Sequence, residues 1–170
     1  MNTILAWDIN IFLHIFGWNG RAFLDRVMKF ITRTGDGYLY PFLGAMILLL
    51  DWEIGLKVVL TGLLSFAIEL PLYKLIKSKT TRLRPFEALP GIKNLIHAPD
   101  RYSFPSGHTA AAFIMAMVIG SGFPMLLIPL LGWASLVGLS RIYLGVHFPT
   151  DVLVGMIWGT ISATLAIQVI

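Results

Sequence analysis

The sequence predicts an all-α, polytopic transmembrane helix bundle of about five spans, preceded by amphipathic helices at the membrane surface. Three observations carry that expectation. Of 170 residues, 56% are hydrophobic and 13% charged, with 13 basic and 9 acidic side chains, against about 45–50% apolar and about 25% charged in soluble domains. Mean hydropathy is +0.77, and so few charges could not cover a soluble surface while so much apolar area was hidden. Finally, no Asp, Glu, Lys or Arg occurs between Tyr102 and Ser140.

Residues 1–35 read as interfacial helices. Asp8, Asn10 and His14 interrupt the apolar stretch 1–17, Trp18 follows, and the start is not basic, so neither a further span nor an export signal fits. In 21–33, Phe23, Leu24, Val27, Met28 and Ile31 share one helical face, with Arg26, Lys29 and Arg33 elsewhere, the pattern of a helix in the headgroup plane. Residues 36–170 read as the bundle, within one membrane domain covering 1–170. Tyr38–Trp52 is a short span with Tyr38, Tyr40 and Trp52 as interfacial anchors. Ile54–Ile76 carries Lys57 near one end, Glu69 inside, and Pro71, which is expected to kink it. Two spans at 106–121 and 125–141 are joined by a turn at Gly122-Phe123-Pro124, and Val152–Ile170 forms the last, behind Pro149. Alternation then puts a loop at 77–105 and the segment 141–151 on one membrane face.

The zero cysteine count excludes disulfides, thiolate catalysis and cysteine metal sites. The net charge of +4 does not point to nucleic acid. Lys and Arg crowd into 21–33 and 74–101 beside the apolar runs, where they would meet lipid headgroups or phosphate esters.

Three clusters carry chemistry at that face: Lys77-Ser-Lys-Thr-Thr-Arg-Leu-Arg84-Pro85, Pro105-Ser106-Gly107-His108, and Ser140-Arg141 followed by His147 and Asp151. Arg holds phosphate through a planar fork and Lys as a point charge. A Ser-Gly pair opening a helix lets backbone N–H groups approach an anion. One histidine could attack phosphorus with a carboxylate fixing its tautomer, and another could protonate the leaving alkoxide. No metal is required.

These strings resemble the signature of the type 2 phosphatidic acid phosphatase family, the integral-membrane lipid phosphate phosphatases. That signature is Lys, six residues, Arg-Pro; then Pro-Ser-Gly-His; then Ser-Arg, five residues, His, three residues, Asp. Every spacing is matched between residues 77 and 151. The resemblance implies that His147 is the nucleophile, passing through a phosphohistidine, with Asp151 orienting and polarising it. His108 would be the general acid and then the base for water. Lys77, Arg84, Ser106, Gly107 and Arg141 would bind phosphate, with no cofactor. Soluble vanadium haloperoxidases share the signature, but this short, apolar chain does not resemble their architecture. Larger family members often have an extra helix at the start.

Elsewhere blander readings apply. Lys74, Lys79 and Lys93 suit headgroup contact, and His14 and His97 suit interfacial packing. Arg82, at a variable position of the first motif, is open between substrate contact and none. Glu69 is read as a structural hydrogen bond or ion pair near the active face.

The expected function is hydrolysis of a lipid phosphomonoester or diphosphate. Phosphatidylglycerol phosphate, undecaprenyl diphosphate, phosphatidic acid and lipid A 1-phosphate are the candidates that the resemblance implies. The alternative is a non-enzymatic anion-binding transporter or channel subunit. Partners are the lipid substrate and membrane lipids; oligomeric state is not legible. The positive-inside tendency would put the basic face in the cytoplasm. The resemblance instead implies a bacterial cell membrane with the site facing the periplasm or exterior, and is followed here because several of those charges are needed for phosphate.

Overall fold

A computed structural model describes residues 3–98 and 100–170. The start of the expected segment 1–35 (residues 1 and 2) and one position of the expected loop 77–105 (Pro99) therefore lie outside the described residues. The architecture is helical: α1 (Thr3–Phe16), α2 (Ala22–Thr34), α3 (Leu39–Leu50), α4 (Trp52–Thr80), the single turn α5 (Pro85–Ala88), α6 (Gly107–Gly122), α7 (Leu127–Tyr143, behind a 3-10 turn at Pro124–Leu126) and α8 (Pro149–Val169). Trp52–Thr80, Pro124–Tyr143 and Pro149–Val169 are long and apolar enough to cross a bilayer. The chain is an integral membrane protein.

Helix α6 is the axis of the bundle, packed by α4, α7 and α8. Its small residues Ala110, Ala112 and Ala116 are buried to 1% or less. Helix α8 meets it through Gly155 and Gly159, four residues apart as in close-packed membrane helix pairs. A Cβ at Gly155 would lie 2.5 Å from the Ser106 carbonyl oxygen, and one at Gly159 2.3 Å from that of Ala110. Only hydrogen atoms there let the two backbones touch. That contact draws the start of α8 against the start of α6, where Ser106 N donates to the Asp151 carbonyl at 3.0 Å.

Two expectations need correction. Tyr38–Trp52 is not a span of its own, since the 12 residues of α3 rise only about 18 Å. Helix α2 does not merely lie in the headgroup plane either. It runs along α7, from Tyr143 (hydroxyl 2.6 Å from the Asp25 carboxylate) down to Trp133, whose indole N–H donates to Thr34 at 2.9 Å. Helix α3 continues beside the far half of α4, with Tyr40 stacked on Phe66 and Ile47 clustered with Val58. The two half-length helices are stacked end to end, broken at Gly35-Asp36-Gly37. Lys29 and Arg33 of α2 line an open groove of about 600 Å³ together with Asp36, His97, His108 and Arg141.

Helix α1 crosses the ends of α7 and α8 that carry the motifs, with Phe12 packed on Ile142 and Phe148. Helix α4 runs through Pro71 to Thr80, so Lys77 stands on its last turn and the connecting loop begins at Thr81 rather than at 77.

Candidate active site

The ends of α4, α6, α7 and α8 converge on one cavity of about 210 Å³. It is lined by Lys77, Arg84, Asp100, Gly107, His108, Arg141 and His147, and, deeper, by Phe66, Glu69, Leu70, Tyr73 and Ala111. Phe66, Glu69, Leu70, Tyr73 and Lys77 recur at helical spacing, so one face of α4 forms a wall. From Lys77 down to Phe66 this wall drops about 16 Å at 1.5 Å per residue. Cations stand at the mouth and apolar groups at the base.

His147 hangs from the turn between α7 and α8. Gly145 adopts φ +80, a conformation open to glycine, and the Val146 and His147 N–H groups both donate to the Arg141 carbonyl, at 3.2 and 3.3 Å. The imidazole is 2% exposed. Its Nε2 lies 3.3 Å from Arg84 Nη1 and its Nδ1 3.6 Å from Asp151 Oδ2. Burial first, then the positive charges of Arg141, Arg84 and Lys77, hold its pKa well below the usual histidine value. The neutral form of the ring is therefore favoured. Asp151 sits behind it at the third position of α8, where Oδ2 accepts the Phe148 N–H at 2.7 Å and helps cap the helix.

Arg84 and Arg141 are almost fully buried. Arg84 donates to the Val146 carbonyl at 2.7 Å and to the Asp100 carbonyl at 2.9 Å. Arg141 donates to Thr32 Oγ1 at 2.8 Å, and its Nε is buried without a partner. Lys77 Nζ donates to the Tyr73 hydroxyl at 2.6 Å. Asp100 bridges the cations, 2.8 Å from Lys77 Nζ and 2.5 Å from Arg84 Nη2. Burial would raise its pKa, but hydrogen bonds from Lys77 and Arg84 outweigh that and hold it low. His108 stands at the first turn of α6 with Nε2 3.1 Å from Asp36 Oδ1, at the break between α2 and α3.

Seven of the eight residues singled out by the motifs thus either line the cavity or, as with Asp151, back one that does. Ser106 is different. It is fully buried, its hydroxyl lies 2.9 Å from Thr109 Oγ1, and it does not line the cavity. Glu69 is 3% exposed and faces the cavity's apolar half.

Tyr73, Asp100, Asp36, Thr32 and Asp8 were not read from the sequence as site residues. Tyr73 carried a signal, since it precedes Lys77 by one helical turn. Asp8 did too, because a carboxylate in an apolar helix is costly without a partner. Arg82 finds its place here as well: Nη1 donates to Asp151 Oδ1 at 2.8 Å and Nη2 to Asp8 Oδ2 at 2.5 Å.

Comparison with known proteins places this geometry. The PAP2 superfamily matches residues 52–170. An undecaprenyl-diphosphatase of Sulfolobus acidocaldarius is 30% identical over 173 residues, covering 97% of this chain and 79% of that protein. The crystal structure of Aquifex aeolicus LpxE superposes with a TM-score of 0.82 at 31% identity, covering 94% of both chains. A PAP2-type phosphatidylglycerolphosphate phosphatase from Bacillus subtilis superposes with a TM-score of 0.79 at 31% identity, covering 99% of this chain and 87% of that one.

Proposed function

The chain belongs to the PAP2 superfamily, and from that premise we propose that it removes the terminal phosphate of a membrane lipid by way of a phosphohistidine on His147. The observation that carries this reading is the cavity itself. A neutral, buried imidazole, a carboxylate behind it, a second imidazole and three cations gather at the mouth of an apolar slot. Two of the relatives above are phosphatases by name, acting on undecaprenyl diphosphate and phosphatidylglycerol phosphate, which favours the enzyme over an anion-binding carrier.

The substrate's phosphate takes the place between Lys77, Arg84 and Arg141, with the Gly107 backbone beside it, and its hydrocarbon enters the slot beside Phe66, Leu70 and Ala111. His147 attacks phosphorus through Nε2, the nitrogen turned toward Arg84. The P–N bond forms as the P–O bond to the lipid breaks, and the leaving oxygen takes a proton from His108, held by Asp36. Asp151 stabilises the positive charge that His147 acquires. In the second half His108 takes a proton from water, the water oxygen attacks phosphorus, the P–N bond breaks and inorganic phosphate leaves. Ser106, with its hydroxyl committed to Thr109, serves this site by fixing the start of α6.

The substrate is a phosphomonoester or diphosphate lipid, with undecaprenyl diphosphate and phosphatidylglycerol phosphate the first to test. Purified protein in detergent should release phosphate from at least one of them in the presence of chelator, and His147→Ala should abolish the release. Anion flux that survives His147→Ala, without phosphate release, would overturn the reading. We place the site on the periplasmic or outer face of a cell membrane. Helix α8 carries the C-terminus away from the site, so a C-terminal reporter should read as cytoplasmic, and a periplasmic reading reverses the orientation.

A further inference from the structure

We infer that Asp8 and Arg82 are positioning residues that act through Asp151 on His147, which makes α1 a working part of the site rather than a surface anchor. The inference rests on the roles proposed above for His147 and Asp151. Asp151 is fully buried, and a buried carboxylate stays charged only if it is paired and hydrogen-bonded. Arg82 supplies the cation at Oδ1 and leaves Oδ2 facing His147. Arg82 is itself held on three sides. Asp8 accepts from Nη2, Thr150 Oγ1 accepts from Nη1 at 2.7 Å, and the Phe148 ring lies 4.3 Å from the guanidinium carbon. The side chain can reach both carboxylates because residues 82–84 run extended, with Leu83 facing out at 42% exposure.

Asp8 decides the charge balance. It is 1% exposed and accepts the Thr150 N–H at 2.9 Å and the Thr150 hydroxyl at 2.7 Å. Arg82 alone would neutralise Asp151 and cancel its pull on an imidazolium. With Asp8 on the other side of the guanidinium, two carboxylates share one cation, and a net negative charge remains behind His147. That charge matters most when the ring becomes cationic, in the transition state and the phosphohistidine. The planar fork of Arg spans both carboxylates, whereas Lys offers a single point charge.

The test is steady-state phosphate release in detergent from undecaprenyl diphosphate and from phosphatidylglycerol phosphate, assayed separately. Asp8→Asn keeps the shape and one acceptor, for the Thr150 N–H, but removes the charge and the oxygen that accepts from Arg82. It should lower kcat about 10-fold and Arg82→Gln about 10–100-fold, the range for residues that orient a catalytic group, with KM within about two-fold of wild type because only the transition state is affected. Asp8→Glu should recover part of the loss. In an Asp151→Asn background neither substitution should cost anything more, since the route through residue 151 is already cut. If Arg82→Gln does not fold, Asp8→Asn and Arg82→Lys decide the matter. Unchanged kcat in Asp8→Asn, a change confined to KM, or losses that multiply with Asp151→Asn would overturn the inference while leaving the proposed function intact. Wild-type protein that releases no phosphate from either lipid would instead overturn the proposed function, and the inference with it.

Discussion

Residues 52–170 and residues 3–50 contribute to the cavity in different ways. The first region, the part matched by the superfamily, supplies every cation and imidazole at the mouth. The second supplies a hydrogen-bonding partner for each of three of those groups or their supports: Asp8 for Arg82, Thr32 for Arg141 and Asp36 for His108. One region presents functional groups; the other fixes where they point and how they are charged. Catalytic power in a preorganised site depends on both, but not equally, and the inequality is measurable.

The largest loss should come from inside the first region. Asp151→Asn keeps the side chain's size, removes the charge opposite His147 and gives up one of the two acceptors used by Arg82 and the Phe148 N–H, so kcat should fall by about 10³–10⁴-fold with lipid binding retained, by analogy with the corresponding change in a Ser-His-Asp triad. Turnover close to wild type would remove Asp151 from the mechanism. Next comes a residue of the second region. Asp36→Asn leaves a neutral partner on His108 and should cost about 10-fold in kcat with little change in KM. A loss as deep as that of Asp151→Asn would erase the distinction between the two regions. The smallest effect is on pH. Because the His147 pKa is depressed, the ring stays deprotonated on going down through pH 6.5, and activity is lost only as the pH falls to the lowered value. No acid limb centred near 6.5 should therefore appear in the pH profile, whose alkaline side falls as His108 loses the proton it must donate; an acid limb at 6.5 would show that neither burial nor the surrounding cations act on the ring.

The same division explains what could be read from the chain without coordinates. The motif residues were legible because their spacing is local: Lys77 to Arg84 covers the end of one helix and the strand-like segment after it, and His147 lies two residues before the helix whose third position is Asp151. The helical class followed from composition. Asp36 and Asp100 left no such trace, because each acts on residues far away in sequence (72 positions separate Asp36 from His108) and a lone acid in a loop has many uses. The stacked pair α2–α3 was misread for a related reason. Hydropathy measures the solvent a helix could tolerate, not whether a second half-helix completes its path. Gly155 and Gly159 were visible as letters, yet their meaning depends on the α6 backbone against which they lie.

Asp100 has a consequence for what the site ignores. It occupies Lys77 and Arg84 together, so an incoming headgroup competes with a carboxylate that is already in place. A phosphodiester, the linkage of the bulk lipids in the surrounding leaflet, brings a single negative charge to that exchange. A terminal phosphate brings up to two, with three oxygens to share among the cations. On the proposed function, the resident anion would set a threshold that a terminal phosphate crosses more readily than a diester of the surrounding leaflet.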